Sequence, residues 1–573
     1  MGTLRKAHLV HPGSAGDKVS GITKEKWVGF FPFKEPRPEQ EEAINFILRS
    51  FLEDGKRFVI ADLGTGIGKS AIGVTVARYL NANSPPVVLQ QPPGEEPVLD
   101  CKPGAWFLTT QKILQEQYLD DFGGGKGCMR DIKSASNYKC SYYKKLTCSE
   151  GQGMLRTADK ASKFWKSCMF NCNYKLQRKS FLEASESVTN FSYALTEANY
   201  SGKITKRNLM VVDECHNAEN ELCRFIEASV SDRSAAALGL EWPQINTYAQ
   251  ALKWVKETYL PAAKVAAADM ERDAEDFKQL EGHEKEYGDL VKRLETLKGH
   301  VVKIDSFIQC SDPENWIVDI LPPVGKVSGK ITFKPIDVSP YTEQNLFRLG
   351  KRVLLMSATV INTEAFAEAL GIPEADYAAI TMPTPFPVAN RPIYFHPIGR
   401  MTADNIDDSL PKVAAALREI LKEHKADKGI IHCHSYKIVS YLRKHLKSDR
   451  LIFHDAHDRD EALAKHIADP KPTVLVSPSM SEGVDLRDNL ARFQILLKVP
   501  YPSLGDKIVK KRMHRWKWWY PLQTVKTIVQ SVGRGVRSET DHAVTYILDA
   551  DWQRFYGQNR DMFPKAFRDA VQK

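Results

Sequence analysis

Short, unbroken apolar runs bounded by glycine, proline or polar clusters punctuate this chain. Phe58 to Ala61, AWFLTT (105–110), RNLMVVDECH (207–216) and KRVLLMSAT (351–359) form one set. A second set begins near RPIYFHPI (391–398) and continues through KGIIHCHSY (428–436), KPTVLVSPS (471–479), ARFQILLKVP (491–500) and AVTYILDA (543–550). Runs of this kind predict strands buried on both faces, as in parallel sheets, and helical patterns lie between several of them. The order strand, glycine loop, helix starting near Lys69 is that of a nucleotide-binding α/β unit. From about 230 to 310 the pattern turns helical and highly charged, which predicts a helical insertion. The Pro-rich stretch SPPVVLQQPPGEEP (84–97) reads as a surface loop, and residues 1–25 read as a polar lead-in.

At 573 residues the chain has room for several domains, each with its own core. A 26% charged and 43% hydrophobic composition is that of an ordinary globular protein. The formal charge of +9 permits a basic groove without locating one. No run long enough to span a bilayer and no apolar signal-peptide core is visible, so the expected location is cytoplasmic.

In Gly64-Thr65-Gly66-Ile67-Gly68-Lys69-Ser70, glycines let backbone N–H groups approach phosphate oxygens. Lys69 would neutralise the outer phosphates of ATP, and Ser70 would ligate Mg²⁺. Leu63 stands where the usual pattern has its first glycine. Asp213 and Glu214 end a buried run: Asp213 suits Mg²⁺, and Glu214 suits activation of the attacking water. Near the other end, Gln530 opens QSVGRGVRSETD, in which Arg534 and Arg537 would share one helix face and supply positive charge to a departing phosphoryl group.

Five of ten cysteines, Cys128, Cys140, Cys148, Cys168 and Cys172, lie between the loop and the acidic pair, in a stretch with little periodicity. Iron–sulfur clusters take four thiolates. Structural zinc draws on close ligand pairs, of which only Cys168 and Cys172 form one. The stretch Lys510–Tyr520 interleaves cations with aromatics, a combination that suits single-stranded nucleic acid and equally suits an amphipathic helix with its tryptophans in the core.

In order along the chain, these strings resemble the XPD/DinG-type, Rad3-related superfamily 2 helicases that carry an iron–sulfur cluster. FPFKEPRPEQ resembles the entry motif, FLTTQKILQEQ the next, SASNYKC the first cluster-ligand motif and CNYKLQRKS the last. DECHNAEN resembles the DEAH box with Cys215 for alanine; SAT, TPFP, HSY, SEGVDL and QSVGRGVRSETD resemble the later motifs. Gly64 replaces a proline frequent in the family, CNYK replaces CPY, and the helical insertion is short.

The resemblance implies an α/β fold of two RecA-like parallel-sheet motor domains with an inserted iron–sulfur domain and a helical arch. The expected boundaries are 26–122, 178–228 and 336–383 for the first motor domain and 384–573 for the second. The cluster domain would occupy 123–177 and the arch 229–335. It implies that Arg37 and Gln40 lie near adenine, and Glu482, Gly483 and Asp485 near nucleotide and backbone. Thr109, Thr110, Gln115, Arg515 and Lys517 would approach DNA. A [4Fe-4S] cluster would sit on Cys140, Cys148, Cys168 and Cys172, with Cys128 as the spare thiol or a substitute ligand. The implied activity is ATP- and Mg²⁺-dependent 5′ to 3′ unwinding by a monomer acting on single-stranded and forked or tailed duplex DNA with repair or replication partners. An RNA or hybrid unwinder, and an ATPase switch within a larger assembly, are the alternatives.

Overall fold

A computed structural model describes residues 21–89, 98–110, 112–123, 128–155, 158–277, 284–455, 457–480 and 486–572. Most of the lead-in, residues 90–97 of the Pro-rich loop, and Glu482, Gly483 and Asp485 lie outside them. Order begins slightly before residue 26, since Ile22 is already buried and Trp27 donates from Nε1 to Asn45 Oδ1 at 2.7 Å.

The first 213 residues supply β1 (Phe58–Leu63), a short hairpin of β2 (Val88–Leu89) and β3 (Val98–Leu99), β4 (Lys102–Thr109), β5 (Met129–Asp131), β6 (Glu186–Asn190) and β7 (Arg207–Asp213). After the insertion come β11 (Gly350–Ser357) and β12 (Tyr377–Met382). Seven of these form one sheet in the order β12-β1-β11-β7-β4-β6-β5, with every pairing parallel. Phe58, Ile60, Met210, Val212, Val353 and Leu355 face one apolar layer; Val59, Ala61, Leu209, Val211, Leu354 and Met356 face the other. Both faces are covered, which is why the strands read as unbroken apolar runs.

The second sheet holds β13 (Ile393–Gly399), β14 (Gly429–His432), β15 (Leu451–Phe453), β16 (Val474–Ser477), β17 (Phe493–Leu496) and β18 (Val544–Asp549). Its order is β13-β18-β17-β14-β16-β15, again all parallel. The expected pair of parallel-sheet domains is present.

The two excursions differ from expectation in detail. β5 pairs with β6 as the edge of the first sheet, so the cysteine-bearing excursion leaves the sheet after Asp131 rather than at 123. It contains helices Cys148–Leu155 and Lys163–Phe170, and returns through Asn173–Glu183. Its re-entry is locked by Arg207, 1% exposed, whose guanidinium bonds the Ala105 and Leu182 carbonyls and Ser187 Oγ and lies 3.6 Å from the Trp106 ring centroid.

The second insertion is not purely helical. β8 (Ala228–Ser231), β9 (Trp316–Leu321) and β10 (Lys330–Pro335) form an antiparallel sheet that packs with helices Leu260–Phe277 and Glu284–Cys310 around Val230, Phe307, Trp316, Ile331 and Phe333. These strands escape a sequence reading because four to six residues of alternation carry little weight beside long charged helices.

Candidate nucleotide site

β1 ends at Leu63, wholly buried as the last strand residue, so no glycine is needed there. The chain then turns through Gly66 (φ 94°) and Gly68 (φ 86°) into helix Lys69–Asn83. A Cβ at Gly68 would come within 2.5 Å of Gln40 Nε2 and 2.9 Å of Arg37 Nη2. Those two residues brace the loop from behind: Arg37 N donates to Gln40 Oε1 at 2.9 Å, and Arg37 Nη2 donates to the Ile67 carbonyl at 2.9 Å. Gly64 answers to a contact that the sequence does not reveal, since a Cβ there would stand 2.3 Å from Thr384 N. Thr384 Oγ1 donates to the Thr65 carbonyl at 2.8 Å, and the Phe386 ring lies against Gly66, so the TPFP crossing segment rests directly on the loop.

Asp213 closes β7 at the carboxyl edge of the sheet, where open parallel sheets place ligands. Its Oδ1 accepts from Glu214 N at 2.9 Å and its Oδ2 from the Tyr118 hydroxyl at 3.0 Å. Burial, then the neighbouring Glu214 charge, push Asp213 up to about 6 against the pull of Lys69. Glu214 adopts φ 51°. Burial would raise its carboxyl too, but the His216 hydrogen bond and the Lys69 and Arg534 charges outweigh it and hold Glu214 ionised.

A polar chain runs on from Glu214. Ser357 Oγ donates to Glu214 Oε2 at 3.3 Å and lies 2.7 Å from His216 Nδ1. Thr359 N donates to Ser357 Oγ at 3.1 Å, and Gln530 Nε2 donates to Thr359 Oγ1 at 3.3 Å. Ser357 and Thr359 belong to SAT, and Gln530 to the second domain, so Glu214 is tied across the domain boundary.

Between the two domains lies a cleft of about 1000 Å³, lined by Gly64, Thr65, Gly66, Gly68, Lys69 and Ser70, by Asp213 and Glu214, and by Gln530, Arg534 and Arg537. The arginines reach it from a turn, not from one helix face: helix Trp519–Val532 stops at Gly533, before either of them. Gly535 then brings the turn against Ala543, where a Cβ would sit 2.6 Å away.

The expected nucleic-acid residues separate into groups. Thr110 lines the cleft. Thr109 and Gln115 are wholly buried instead of facing a strand, and Gln115 Nε2 bonds Asp131 Oδ2 and the Ile132 carbonyl, both at 3.0 Å, which anchors the sheet edge. Arg515 is engaged by Asp337 at 2.9 Å, whereas Lys517 is exposed.

Cys140, Cys148, Cys168 and Cys172 are buried in one apolar cluster with Phe164 and Tyr174. Cys148 Sγ and Cys172 Sγ lie 3.7 Å apart. Burial, reinforced by Cys172, lifts the Cys148 thiol to about 12. Cys128 stands apart, exposed and accepting from Ser185 Oγ at 3.4 Å. Among the described residues no three His, Cys, Asp or Glu side chains are grouped to hold a metal ion. The donor set still fits an iron–sulfur cluster, being all thiol and gathered in one layer. Gly151 leaves space beside it: a Cβ there would lie 2.9 Å from Cys140 Sγ.

A helicase C-terminal domain model matches residues 417–570, and a model of the Type III restriction enzyme res subunit matches residues 33–260. The ATP-dependent DNA helicase YoaA of Escherichia coli K12 is 24% identical over 233 residues, 38% of this chain and 36% of that protein. The ATP-dependent DNA helicase CHL1 of Saccharomyces cerevisiae is 28% identical over 133 residues, 19% of this chain and 15% of its own length. The matched segments thus span a minor part of these curated relatives. A solved XPD helicase superposes with a TM-score of 0.59 at 16% identity, covering 94% of this chain and all of that one. Xpd4 of S. tokodaii gives 0.56 at 12% identity, covering 94% and 99%.

Proposed function

We infer that this chain, which belongs to the XPD/DinG-type, Rad3-related superfamily 2 helicases, is an ATP-dependent DNA helicase whose motor strokes are driven from the cleft between its two parallel-sheet domains. The observation that carries this reading is the composition of that cleft. Lys69, Ser70, Asp213 and Glu214 stand on one wall, and Arg534 and Arg537 on the other. Lys69 and the backbone N–H groups of the glycine loop bind the phosphates. Ser70 and Asp213 would hold Mg²⁺, which when bound neutralises phosphate charge. Glu214, kept ionised, orients the attacking water and accepts its proton. Arg534, near enough for its charge to act on Glu214, completes the site from the second domain. The chain Glu214–Ser357–Thr359–Gln530 gives the event at the phosphate a direct mechanical link to that domain.

Cys140, Cys148, Cys168 and Cys172 would hold a [4Fe-4S] cluster that stiffens an excursion poor in apolar core. Single-stranded DNA with a forked or tailed duplex is the proposed substrate, supported by relatives named as DNA helicases; Thr110 and Lys517 are the proposed strand contacts. No described helix is long and apolar enough to cross a membrane. The proposed setting is the cytoplasm, with repair or replication proteins as partners.

The test is ATP-dependent opening of matched duplexes carrying a 5′ or a 3′ single-stranded tail by anaerobically purified protein. Opening of the 5′-tailed substrate alone supports the reading and its polarity. ATP turnover with neither substrate opened moves it to an RNA unwinder or a partner-dependent switch. In the same preparation Cys140→Ser should lose iron and strand opening together; retention of both removes Cys140 from the ligands.

A further inference from the structure

Tyr118 lies on helix Lys112–Phe122, between Gln117 and Asp120 of the cleft wall, and is 2% exposed. Its ring is held between Phe107 and Phe122, with centroids 5.6 and 5.8 Å away, so it has little freedom to swing. The hydroxyl donates to Asp213 Oδ2 at 3.0 Å. A buried phenol with a partner is ordinary; one whose partner is the carboxylate suited to Mg²⁺ is not explained by packing alone. Asp213 Oδ1 takes its own donor from Glu214 N, so each oxygen of the carboxylate is oriented by one hydrogen bond and keeps lone pairs for a cation. Carboxylates that bind metals depend on such outer donors for orientation and affinity.

We propose that Tyr118 is a positioning residue for the divalent cation: its hydroxyl holds the Asp213 carboxylate in a fixed orientation so that the metal meets a preset ligand. This rests on the reading of Asp213 as a metal ligand. The phenol takes no part in phosphoryl transfer and acts only through Asp213. It also joins the metal site to the helix that begins beside Thr110, one wall of the cleft.

Tyr118→Phe removes one oxygen and keeps the ring. Binding of Mn²⁺ in the presence of ADP, followed by electron paramagnetic resonance, should weaken about 10-fold. The Mg²⁺ concentration giving half-maximal ATP turnover should rise by the same factor, while kcat at saturating Mg²⁺ and the metal-free melting temperature stay near those of the parent protein. Unchanged or tighter Mn²⁺ binding overturns the proposal, and so does a fall in kcat that saturating Mg²⁺ does not restore. Asp213→Asn is the control for the premise: if it binds Mn²⁺ as the parent does, the metal lies elsewhere and the premise fails independently of Tyr118. Should the Phe variant fail to fold, the parent protein carrying 3-fluorotyrosine supplies a second readout. A buried tyrosine resonance should shift with the Mg²⁺ titration, and a spectrum in which none moves overturns the proposal.

Discussion

Two pairs of arginines three residues apart stand in the second parallel-sheet domain, and the structure gives them opposite surroundings. Arg512 and Arg515 lie on helix Lys507–Arg515 and point at the rest of the molecule. Arg512 binds Glu219 Oε1 at 2.6 Å and the Ile336 carbonyl at 2.7 Å, its side chain 5% exposed; Arg515 binds Asp337 at 2.9 Å. Lys507 adds a bond to the Val318 carbonyl at 3.1 Å. This face therefore clamps the second domain to the helix after DECH and to the root of the insertion. Arg534 and Arg537 lie past a helix end and face the nucleotide cleft. Spacing alone does not separate a structural cation from a catalytic one; the depth and sign of what each guanidinium faces does.

The contrast can be broken most severely at Arg534. Arg534→Ala should lower ATP turnover by about 10³-fold, read by steady-state hydrolysis, with single-strand binding retained; a small loss would move the role of the pair to Arg537. Arg512→Met should leave the partly buried Glu219 without its partner and lower stability by about 2 kcal/mol in equilibrium denaturation, with turnover per folded molecule preserved. A variant that loses turnover but not stability would erase the distinction between the pairs.

The floor beneath Arg534 sharpens the comparison. His432 is buried and, chiefly through burial and then the charges of His434 and Arg534, its imidazole is pushed down to about 3; burial pushes His434 down to about 4. Both are neutral in the native protein at pH 7, while an unfolded chain takes up their protons below about 6.5. Their contribution to stability is therefore present above that pH and lost as pH falls through the interval toward 4. At pH 5 the loss should reach about 2 kcal/mol per histidine. His432→Phe should flatten the fall in denaturation midpoint between pH 7 and 5; an unaltered slope would show that His432 is not the group.

The smallest effects are expected at the exposed end of the clamp. Arg515→Ala, at a half-exposed ion pair, should cost under about 1 kcal/mol and leave single-strand affinity unchanged. Lys517→Ala should weaken single-strand binding modestly and reduce its salt dependence by about one ion, if the two residues differ as their surroundings do. Equal losses of DNA affinity for both would return Arg515 to the nucleic-acid surface.

The elements legible in the chain are those whose signal is local. β1, β7 and β11 read clearly because strands covered on both faces must be apolar throughout, and the glycine loop because its φ values and its close neighbours exclude side chains. Gln115 was illegible: a polar residue in a polar helix gives no sign that Asp131 and Ile132 will bury it. Thr384 and Tyr118 were missed for a related reason, since the groups they meet, Thr65 and Asp213, lie 319 and 95 residues away. A buried tyrosine in the helical run YLDDF was the one available hint, because its hydroxyl needs a partner wherever the ring is enclosed.

From its sequence alone the chain determined two parallel-sheet domains, a phosphate loop, an acid pair at a strand end and a group of thiols. Each is a matter of which residue types stand at neighbouring positions, and local sterics and burial settle that. The tertiary structure alone decided that Arg512 and Arg515 clamp the second domain to the insertion, and that a tyrosine holds Asp213. Periodicity specifies which face of an element is buried, but the partner that buries it comes from a distant segment, and the chemistry of a polar side chain is set by that partner.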